Sequence, residues 1–430
     1  MIIFSHLDLT KFLLFTLNNL KYSILCCFFI LPISCAKQQS NSPLVEARYI
    51  IDLDGNKESY IPYSSVFKNV QTIILETNND CLIGRIHELQ VFDGCIYILD
   101  KIIAKGLFVF DNQGRFLRKI GRQGQGPGEY FQLGDFSLDT ENGYIFLLDF
   151  GNRIHKYRID GTYILTIEFQ IPRSAIDFIQ FHNNKLYASV SAFEAKQDDF
   201  MLMVIDPDNG KILSQLLPLK YNKSWDNRSR TGHSFFMSRL NNPPLYSQLF
   251  MDFIVSLEDD ITPYIELKSK NLVTERDFAN LSNDKLPENT HFQVLQGTSK
   301  IWDINSFVEH EDFILFKYKS GFMSEKRNSF SVLFHKETES VKTVNRMSND
   351  LVLRRIDDDG RSIMSVFDGN FIFSDKQGAY EIIQSVPSQI FESFQESIRK
   401  NELVPDLDKL DELLKLEDDA NPVIFYYEFK

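Results

Sequence analysis

The strongest constraint on the fold is a repeat of 49 residues. The stretch 91–100 (VFDGCIYILD) is followed 49 positions later by 140–149 (TENGYIFLLD), with matching residue types at most positions. Asp111 and Asp160 keep the same spacing, and a glycine follows each of them. Aspartate and glycine suit tight turns, because such turns need positive φ values and side chains that bond back to the backbone. One unit therefore contains four short strands in about 40 to 50 residues, which is the period of a β-propeller blade.

Weaker copies of this unit follow along the chain. They lie within 176–206, 245–268, 307–335 and 363–374, which with the two clear units gives about six blades. Residues 45–430 then supply about 64 residues per blade, so insertions are expected. The 38 Phe and 17 Tyr residues are typical of strands. The sequence predicts an all-β, six-bladed β-propeller.

A short helical insertion is predicted at 388–416, before the C-terminal closing strand 421–430. Apolar residues recur there at helical spacing, and Ser388 is placed to cap the first helix. The terminal strand is expected to complete a blade that begins near the N-terminus, since ring closure removes exposed sheet edges. The segment Ala47–Asp52 is the candidate closing partner. The acidic run at 406–419 favours a solvated helix face over a cation site.

Residues 1–34 are predicted to be a signal peptide of the lipoprotein type. Lys21 precedes a short apolar stretch, 22–33, and Cys35 follows a small residue. Twelve residues are fewer than the about 20 that a transmembrane helix needs. Cys35 would then carry the lipid, with 35–46 as a polar tether and 47–430 as the propeller domain. An uncleaved anchor helix and ordinary cleavage that leaves a free Cys35 are the alternatives.

The remaining cysteines, Cys81 and Cys95, leave two interpretations open. They could form a disulfide in an oxidising compartment, or they could be two buried thiols. The second is slightly favoured, because Cys95 lies inside an apolar strand pattern. No cysteine or histidine pattern has zinc spacing, so the sequence predicts no metal and no cofactor.

The most distinctive loop is the glycine-rich stretch 121–130 (GRQGQGPGEY). A phosphate-binding loop must lead into a helix, but this loop connects two predicted strands. In a propeller, the loop between two blades lies on the same face as the loop between the two middle strands of a blade. The segments 101–106, 121–131 and 150–153 should therefore share one rim. The predicted ligand-binding face consists of Lys101, Lys105, Arg122, Gln125, Glu129, Tyr130, Asn152 and Arg153.

A purely structural role for the same residues is the alternative. Glu129 can pair with Arg122 to brace the loop. Asp100 and Asp149 occupy equal positions in adjacent repeats, which favours a recurring turn-capping role over a pair of catalytic carboxylates. His155 is expected on the surface of an outer strand. No catalytic residues are predicted, because the histidines are scattered and neither HExxH nor GxSxG occurs.

A family resemblance is carried by IYILD (96–100), by the run from Phe108 to Tyr130, by GYIFLLD (143–149) and by NPVIFYYEFK (421–430). These stretches resemble the six-bladed β-propeller lipoproteins of Bacteroidota, whose blades are similar to NHL repeats. The resemblance implies a protein of the cell envelope, anchored by lipid to the outer membrane on its periplasmic or surface side. It implies no reaction.

Charge narrows the expected partners. The chain has 46 basic and 59 acidic residues and a net charge of -13, which argues against a nucleic-acid partner. The predicted face nevertheless gathers four cations. The favoured hypothesis is a monomeric binding module for a glycan, peptide or envelope protein, which contacts the membrane through its lipid anchor. The alternative is a propeller hydrolase or lyase, which would place several His, Asp or Glu residues at one level of the central channel. An envelope assembly scaffold is a third interpretation.

Overall fold

The fold is taken from a computed structural model of the chain. It describes residues 46–55, 57–150, 152–169, 174–192, 200–218, 235–236, 243–258, 261–274, 276–277, 295, 297–321, 328–352, 369–383, 395–396, 399–400 and 407–430. The predicted signal peptide, Cys35 and residues 36–45 lie outside the described residues and stay predictions. None of the described helices is long and apolar enough to cross a membrane.

The described strands form six blades of a β-propeller, as the repeat predicts. The N-terminal segment contributes β1 (Tyr49–Asp52), β2 (Ile61–Pro62) and β3 (Phe67–Ile74). Blade 1 contains β4 (Glu88–Phe92), β5 (Cys95–Asp100), β6 (Gly106–Asp111) and β7 (Phe116–Ile120). The glycine-rich loop then forms a short parallel pair, β8 (Arg122–Gln123) and β9 (Glu129–Tyr130). Blade 2 contains β10 (Leu133–Asp139), β11 (Tyr144–Asp149), β12 (Arg153–Arg158) and β13 (Tyr163–Glu168).

The next three blades follow in chain order. Blade 3 contains β14 (Ser174–His182), β15 (Lys185–Ala192), β16 (Phe200–Ile205) and β17 (Ile212–Pro218). Blade 4 contains β18 (Phe235–Phe236), β19 (Leu245–Tyr246), β20 (Phe253–Leu257) and β21 (Ile261–Lys268). Blade 5 contains β22 (Ile301–Glu309), β23 (Phe313–Ser320), β24 (Asn328–His335) and β25 (Ser340–Val344). After it, β26 (Met347–Ser348) pairs in parallel with β2.

Blade 6 closes the ring with strands from both ends of the propeller. It contains β27 (Phe371–Ser374), β28 (Gly378–Ile383) and β29 (Val423–Phe429), and β3 is its outer strand. The prediction that Ala47–Asp52 closes the ring is wrong. The strand β1 instead pairs in parallel with β21 and becomes a fifth strand of blade 4. The closing strand is β3, which pairs with β29 at seven registered positions.

The hydrophobic core lies between the blades. Each of the six largest clusters of buried apolar side chains joins two neighbouring blades, from the pair 1–2 round to the pair 6–1. Aromatic residues supply much of this packing; the rings of Phe146 in blade 2 and Phe181 in blade 3 stack with centroids 5.3 Å apart. Both faces of a blade are thus buried against neighbours, which explains the apolar strands seen in the sequence.

The interpretation of Cys81 and Cys95 as a disulfide is wrong, because both are free thiols. Cys81 is buried in the cluster between blades 6 and 1, and its thiol contacts the Glu76 carbonyl at 3.1 Å. Cys95 packs against the cluster between blades 1 and 2. Blade 1 separates the two clusters, so the two sulfur atoms lie on opposite sides of one sheet.

The helical insertion is short where it is described. A single helix of four residues, α1 (Leu410–Leu413), lies within 407–430. Leu407 and Leu413 are buried in the cluster between blades 5 and 6, and the Asp408 carboxylate accepts a hydrogen bond of 2.8 Å from the Thr72 amide. Ser388 and most of the first predicted helical run lie outside the described residues.

The two faces of the propeller carry connections of different length. On one face the turns are mostly short hairpins, such as 93–94 and 112–115. On the other face, which we call the long-loop face, the connections include 75–87, 121–132, 269–300 and 384–422. A site that is built from loops is therefore expected on the long-loop face.

Candidate functional site

The glycine-rich loop is braced by its own side chains. The guanidinium of Arg122 lies 2.6 Å from the Glu129 carboxylate, which also accepts the Gly126 amide at 2.9 Å. These contacts lower the pKa of Glu129, with the Gly126 amide as the largest cause and Arg122 the next. Gln125 is exposed near the tip of the loop. The pairing agrees with the structural alternative for Arg122 and Glu129, so Arg122 is exposed but already has an anionic partner.

Tyr130 is buried and cannot contact a ligand from the rim. It is 0% exposed, and its hydroxyl donates a hydrogen bond of 3.2 Å to the carbonyl of Lys105. The sequence placed Tyr130 on the face because its loop lies there, but its ring packs into the cluster between blades 1 and 2. Its role is to hold the backbone of Lys105 in place.

Asp149 organises the rim of blade 2. Its carboxylate accepts the backbone amides of Phe131 and Gln132 and lies 2.6 Å from the guanidinium of Arg153. Burial raises its pKa, but the hydrogen bonds from His155 and from these amides outweigh burial, so the pKa of Asp149 is lowered overall. Arg153 therefore has a partner, and Asp149 has the turn-capping role that its place in the repeat predicts.

The predicted surface position of His155 is wrong. His155 is 2% exposed, with Nε2 3.2 Å from Asp149 and Nδ1 2.8 Å from the Thr166 hydroxyl. The two middle strands of blade 2 place His155 opposite Leu147, on a side of the sheet that the neighbouring blade covers. It belongs to the structural support of Asp149.

Asp100 plays the same part in blade 1. Its two oxygens accept backbone amides at 2.9 to 3.1 Å, and the donors are Gly84, Arg85, Ile102, Ile103 and Ala104. Burial opposes the charge, but these amides lower the pKa of Asp100 overall. The carboxylate thereby fixes the loop that carries Lys101 and Lys105.

Lys101 and Lys105 differ from the two arginines, because within the described part of the chain neither lysine forms an ion pair. Lys105 is exposed. Lys101 extends toward blade 3, where its ammonium lies 5.3 Å from the centre of the Phe178 ring. Asn152 accepts the Ile176 amide at 2.9 Å and so joins blade 2 to blade 3. Among the predicted cations, the two lysines keep the uncompensated charge.

The sequence interpretation missed four exposed apolar residues in the loops of the predicted rim. They are Ile102, Ile103, Phe131 and Phe150, which are 62%, 65%, 58% and 67% exposed. The rings of Phe131 and Phe150 lie 6.3 Å apart. The signal was present, because Phe150 directly follows Asp149, and Ile102 and Ile103 come two and three positions after Asp100, in segments that must be loops. We call these four residues the apolar patch.

A cavity of about 190 Å³ lies among the innermost strands of blades 1, 3, 4, 5 and 6. Its polar lining includes His87, Glu88, Gln90, Gln180 and Asn305, and its apolar lining consists of five phenylalanines, Leu89 and Ile372. We call it the central cavity. His87 connects it to the long-loop face, because the Lys101 amide donates a hydrogen bond of 3.2 Å to His87 Nδ1.

Known structures share this fold. An exported protein of Bacteroides fragilis aligns over 89% of this chain and 99% of its own, at 18% identity and a TM-score of 0.64. A member of the DUF4221 family from Bacteroides vulgatus aligns over 85% of this chain and 97% of its own, at 11% identity and a TM-score of 0.51. Similarity at these identities shows the fold alone.

Comparison at the level of sequence gives the family. No curated protein matches the chain. One family model covers residues 48–428, which is nearly all of the propeller. The chain belongs to the family described as domain of unknown function DUF4934.

Proposed function

We propose that the protein is an exported, lipid-anchored binding module of the cell envelope, which holds an acidic peptide segment of a partner protein on its long-loop face. The observation that carries this proposal is that Lys101 and Lys105 flank Ile102 and Ile103 of the apolar patch in one loop of that face. These two lysines form no ion pair within the described chain, and loops of the same face carry the four exposed apolar side chains. Exposed apolar patches edged by charge are typical of protein-interaction sites.

The chemistry of the patch favours a peptide over a glycan. Isoleucine side chains pack against aliphatic and aromatic groups, whereas sugar-binding surfaces use flat rings to cover the hydroxyl-bearing ring of the sugar. The lysine charges would select acidic residues in the peptide, steer its approach and suppress basic partners. Because the chain as a whole has a net charge of -13, this local basic edge is distinctive.

The central cavity supports binding rather than catalysis. Among the described lining residues, His87 and Glu88 are the only acid and base, and both come from the start of one blade. A propeller hydrolase or lyase would be expected to gather such groups from several blades. Export and lipid anchoring are supported by the predicted signal peptide with Cys35, and by the exported Bacteroides fragilis protein of the same fold.

The first prediction tests the face directly. A fluorescein-labelled peptide of alternating glutamate and leucine is titrated with the detergent-solubilised full chain, and fluorescence anisotropy is measured. The double variant Lys101→Gln/Lys105→Gln should weaken binding at least about 10-fold, because two attractive charges are lost. The variant Phe131→Ser/Phe150→Ser should weaken it by a similar factor.

The matched control is Lys211→Gln/Lys376→Gln, which removes two exposed lysines from turns on the opposite face. Its affinity should stay within about 2-fold of the wild type, and a lysine–leucine peptide should bind none of the proteins well. Equal affinity of the wild type and the Lys101→Gln/Lys105→Gln variant would show that the partner binds elsewhere.

A further inference from the structure

The outer strands of blades 4, 5 and 6 are contacted by segments from the two ends of the propeller. The strand β1 adds to β21 in parallel, as a fifth strand of blade 4. Further along the same N-terminal segment, the Glu58 amide donates to the Thr343 carbonyl of β25 at 3.0 Å. In blade 6, the Asp408 carboxylate accepts the Thr72 amide of β3. The chain therefore protects these three outer edges itself.

The outer strands of blades 1, 2 and 3 have no added strand within the described chain. They are β7, β13 and β17, and each is the last strand of its sheet. Arg118 and Lys119 place charges in β7, and Glu168 places one in β13. Charged side chains are a common protection of edge strands against pairing. The strand β17 (ILSQLLP) is the longest of the three and contains no charged residue, so it is the least protected of these edges.

The backbone of β17 is open to a further strand. In the described chain, no hydrogen bond from outside blade 3 reaches residues 212–217. Ile212 and Leu213 are 41% and 47% exposed. Only the end of the strand is guarded, by the positive φ of Leu217 (+55°) and by Pro218, which lacks an amide hydrogen. An exposed, uncharged edge of this kind is a template for another strand.

Blade 4 shows how such a strand can pair. The strand β21 contains a β-bulge at Tyr264 in its pairing with β20, and it accepts β1 directly beyond this bulge, over residues 265–268. The strand β17 contains a similar bulge at Leu213 in its pairing with β16. A bulge therefore does not prevent addition of a strand, and an added strand on β17 is expected to pair from Ser214 onward.

We propose that the outer edge of β17 binds an extended, uncharged segment of a partner protein as a fifth strand of blade 3, in parallel, as β1 does in blade 4. Main-chain hydrogen bonds supply the affinity in this mode of recognition. In blade 4, Lys268 of β21 lies opposite Asp52 of β1, whereas β17 has no charge for a charged partner to meet. The exposed Ile212 and Leu213 favour β-branched residues in the partner.

The test uses a peptide of alternating valine and threonine, about seven residues long and labelled with fluorescein. It is titrated with the detergent-solubilised full chain, and fluorescence anisotropy is measured. Saturable binding with a Kd below about 1 mM is expected. The same peptide N-methylated at every amide keeps its side chains but cannot donate hydrogen bonds, so it should bind at least about 10-fold more weakly. Ser214→Lys/Gln215→Lys adds two charges to the edge and should weaken binding by a similar factor.

The matched control is Leu117→Lys/Ile164→Lys, which adds two lysines at exposed positions of β7 and β13. Its affinity should stay within about 2-fold of the wild type, because the lysines lie in other blades. Circular dichroism establishes that each variant is folded. Absence of saturable binding, equal binding of the methylated peptide, or binding that Ser214→Lys/Gln215→Lys leaves unchanged overturns the proposal.

Hydrogen exchange of the wild-type protein gives a measurement that does not depend on variants. At a peptide concentration about ten times its Kd, exchange in β17 should slow about 10-fold, because its outward amides are then bonded to the peptide. Exchange in β7 and β13 should not change. Protection of β7 or β13 instead of β17, or no protection of any strand, contradicts the proposal. The proposal stands whether or not an acidic peptide binds to the long-loop face, because β17 lies apart from the loops that carry the apolar patch.

Discussion

A single buried carboxyl group, Glu381, links the N-terminal segment to the closing blade. Glu381 is 0% exposed in β28, and the hydroxyl of Tyr63 lies 3.1 and 3.0 Å from its two oxygens. The Asn370 amide also donates a hydrogen bond to Glu381, at 3.2 Å. Burial raises the pKa of Glu381 to about 7, although these hydrogen bonds partly oppose the rise. The group therefore changes charge within the folded protein near neutral pH.

This raised pKa predicts the pH dependence of stability. The folded chain holds the Glu381 proton more tightly than the unfolded chain, whose pKa is near 4.5. The resulting stabilisation is fully present below that value and is lost as the pH rises through about 7. Glu381→Gln stays neutral, so its free energy of unfolding relative to wild type should increase by about 2 to 3 kcal/mol between pH 5 and pH 8.

Urea unfolding at both pH values measures this difference. Glu428→Gln is the control, because Glu428 lies partly exposed beside Lys68 at 2.8 Å. A gap between Glu381→Gln and wild type that stays constant from pH 5 to pH 8 would contradict the raised pKa.

For individual residues, the sequence predicts roles that recur in each repeat, but it misses roles that depend on contacts with another blade or a distant segment. The capping function of Asp100 and Asp149 followed from their equal places in two units. The burial of Tyr130 and His155 could not follow, because it depends on which blade covers them. Glu381 gave no signal, since nothing in its local sequence shows that Tyr63, 318 residues away, lies against it.

Among structural elements, the turn between the third and fourth strands of a blade has a recurring contact. A side chain added at Gly114 would place its Cβ 2.1 Å from the Ile74 carbonyl at the end of β3. A Cβ at Gly210 would similarly lie 2.3 Å from Ile167 in the outer strand of blade 2, whereas a Cβ at Gly161 would make an ordinary contact of 3.5 Å with Ile120 in the outer strand of blade 1. Gly114 and Gly210 therefore let a blade approach the outer strand of the blade before it.

Two glycine substitutions separate this contact from backbone strain. Gly114 and Gly143 both have positive φ, +87° and +72°, but a Cβ at Gly143 would meet nothing within 4 Å. Gly143→Ala should cost about 1 to 2 kcal/mol from backbone strain alone. Gly114→Ala should cost at least about 3 kcal/mol, because the collision with the Ile74 backbone is added. Urea unfolding of both variants checks this, and equal losses would mean that the blade contact is unimportant.

The elements themselves are largely readable from the sequence, but their long-range pairing is not. The strands β5 and β11 start at Cys95 and Tyr144, which keeps the spacing of the repeat. The partner of β29 was predicted wrongly because both β1 and β3 look like short apolar strands. Only the assembled ring shows that β3 reaches β29 while β1 extends blade 4.

At the scale of the whole molecule, Asn421 fastens the closed ring. It is 1% exposed, and its side-chain nitrogen donates to the carbonyls of Glu76 and Cys81 at 2.7 and 2.8 Å. Its side-chain oxygen accepts the Ile83 amide at 2.7 Å. These bonds tie the chain two residues before β29 to the connection from blade 6 to blade 1.

Loss of the Asn421 side chain should weaken the closure of the ring, where β29 pairs with β3. Asn421→Ala leaves buried backbone groups unpaired and should lower the free energy of unfolding by about 2 to 4 kcal/mol. Hydrogen exchange followed by mass spectrometry should show faster exchange in β29 and β3 than in blades 2 and 3. The control Asn112→Ala removes an exposed turn residue and should leave exchange unchanged. Equally faster hydrogen exchange in all blades would contradict a local effect at the closure of the ring.

For the molecule as a whole, the repeat established the propeller, and the order of strands established a face that carries long loops. The candidate site was only partly predictable. Its loops followed from the topology, but the apolar patch and the pairing of Arg122 and Arg153 depend on how side chains pack. The central cavity could not be predicted, because it is formed by strands from five blades.

The pairing of β3 with β29 also affects how the chain folds during biosynthesis. Ile74 of β3 can pair only after Val423 of β29 has been synthesised, 349 residues later. At about 5 to 20 residues per second, the ribosome needs roughly 20 to 70 seconds to bridge that gap. Blades 1 to 3 have all their strands long before then, whereas β3 has an unpaired edge throughout. The growing chain is therefore most exposed to misassociation at β3, which is one of the first strands to be synthesised.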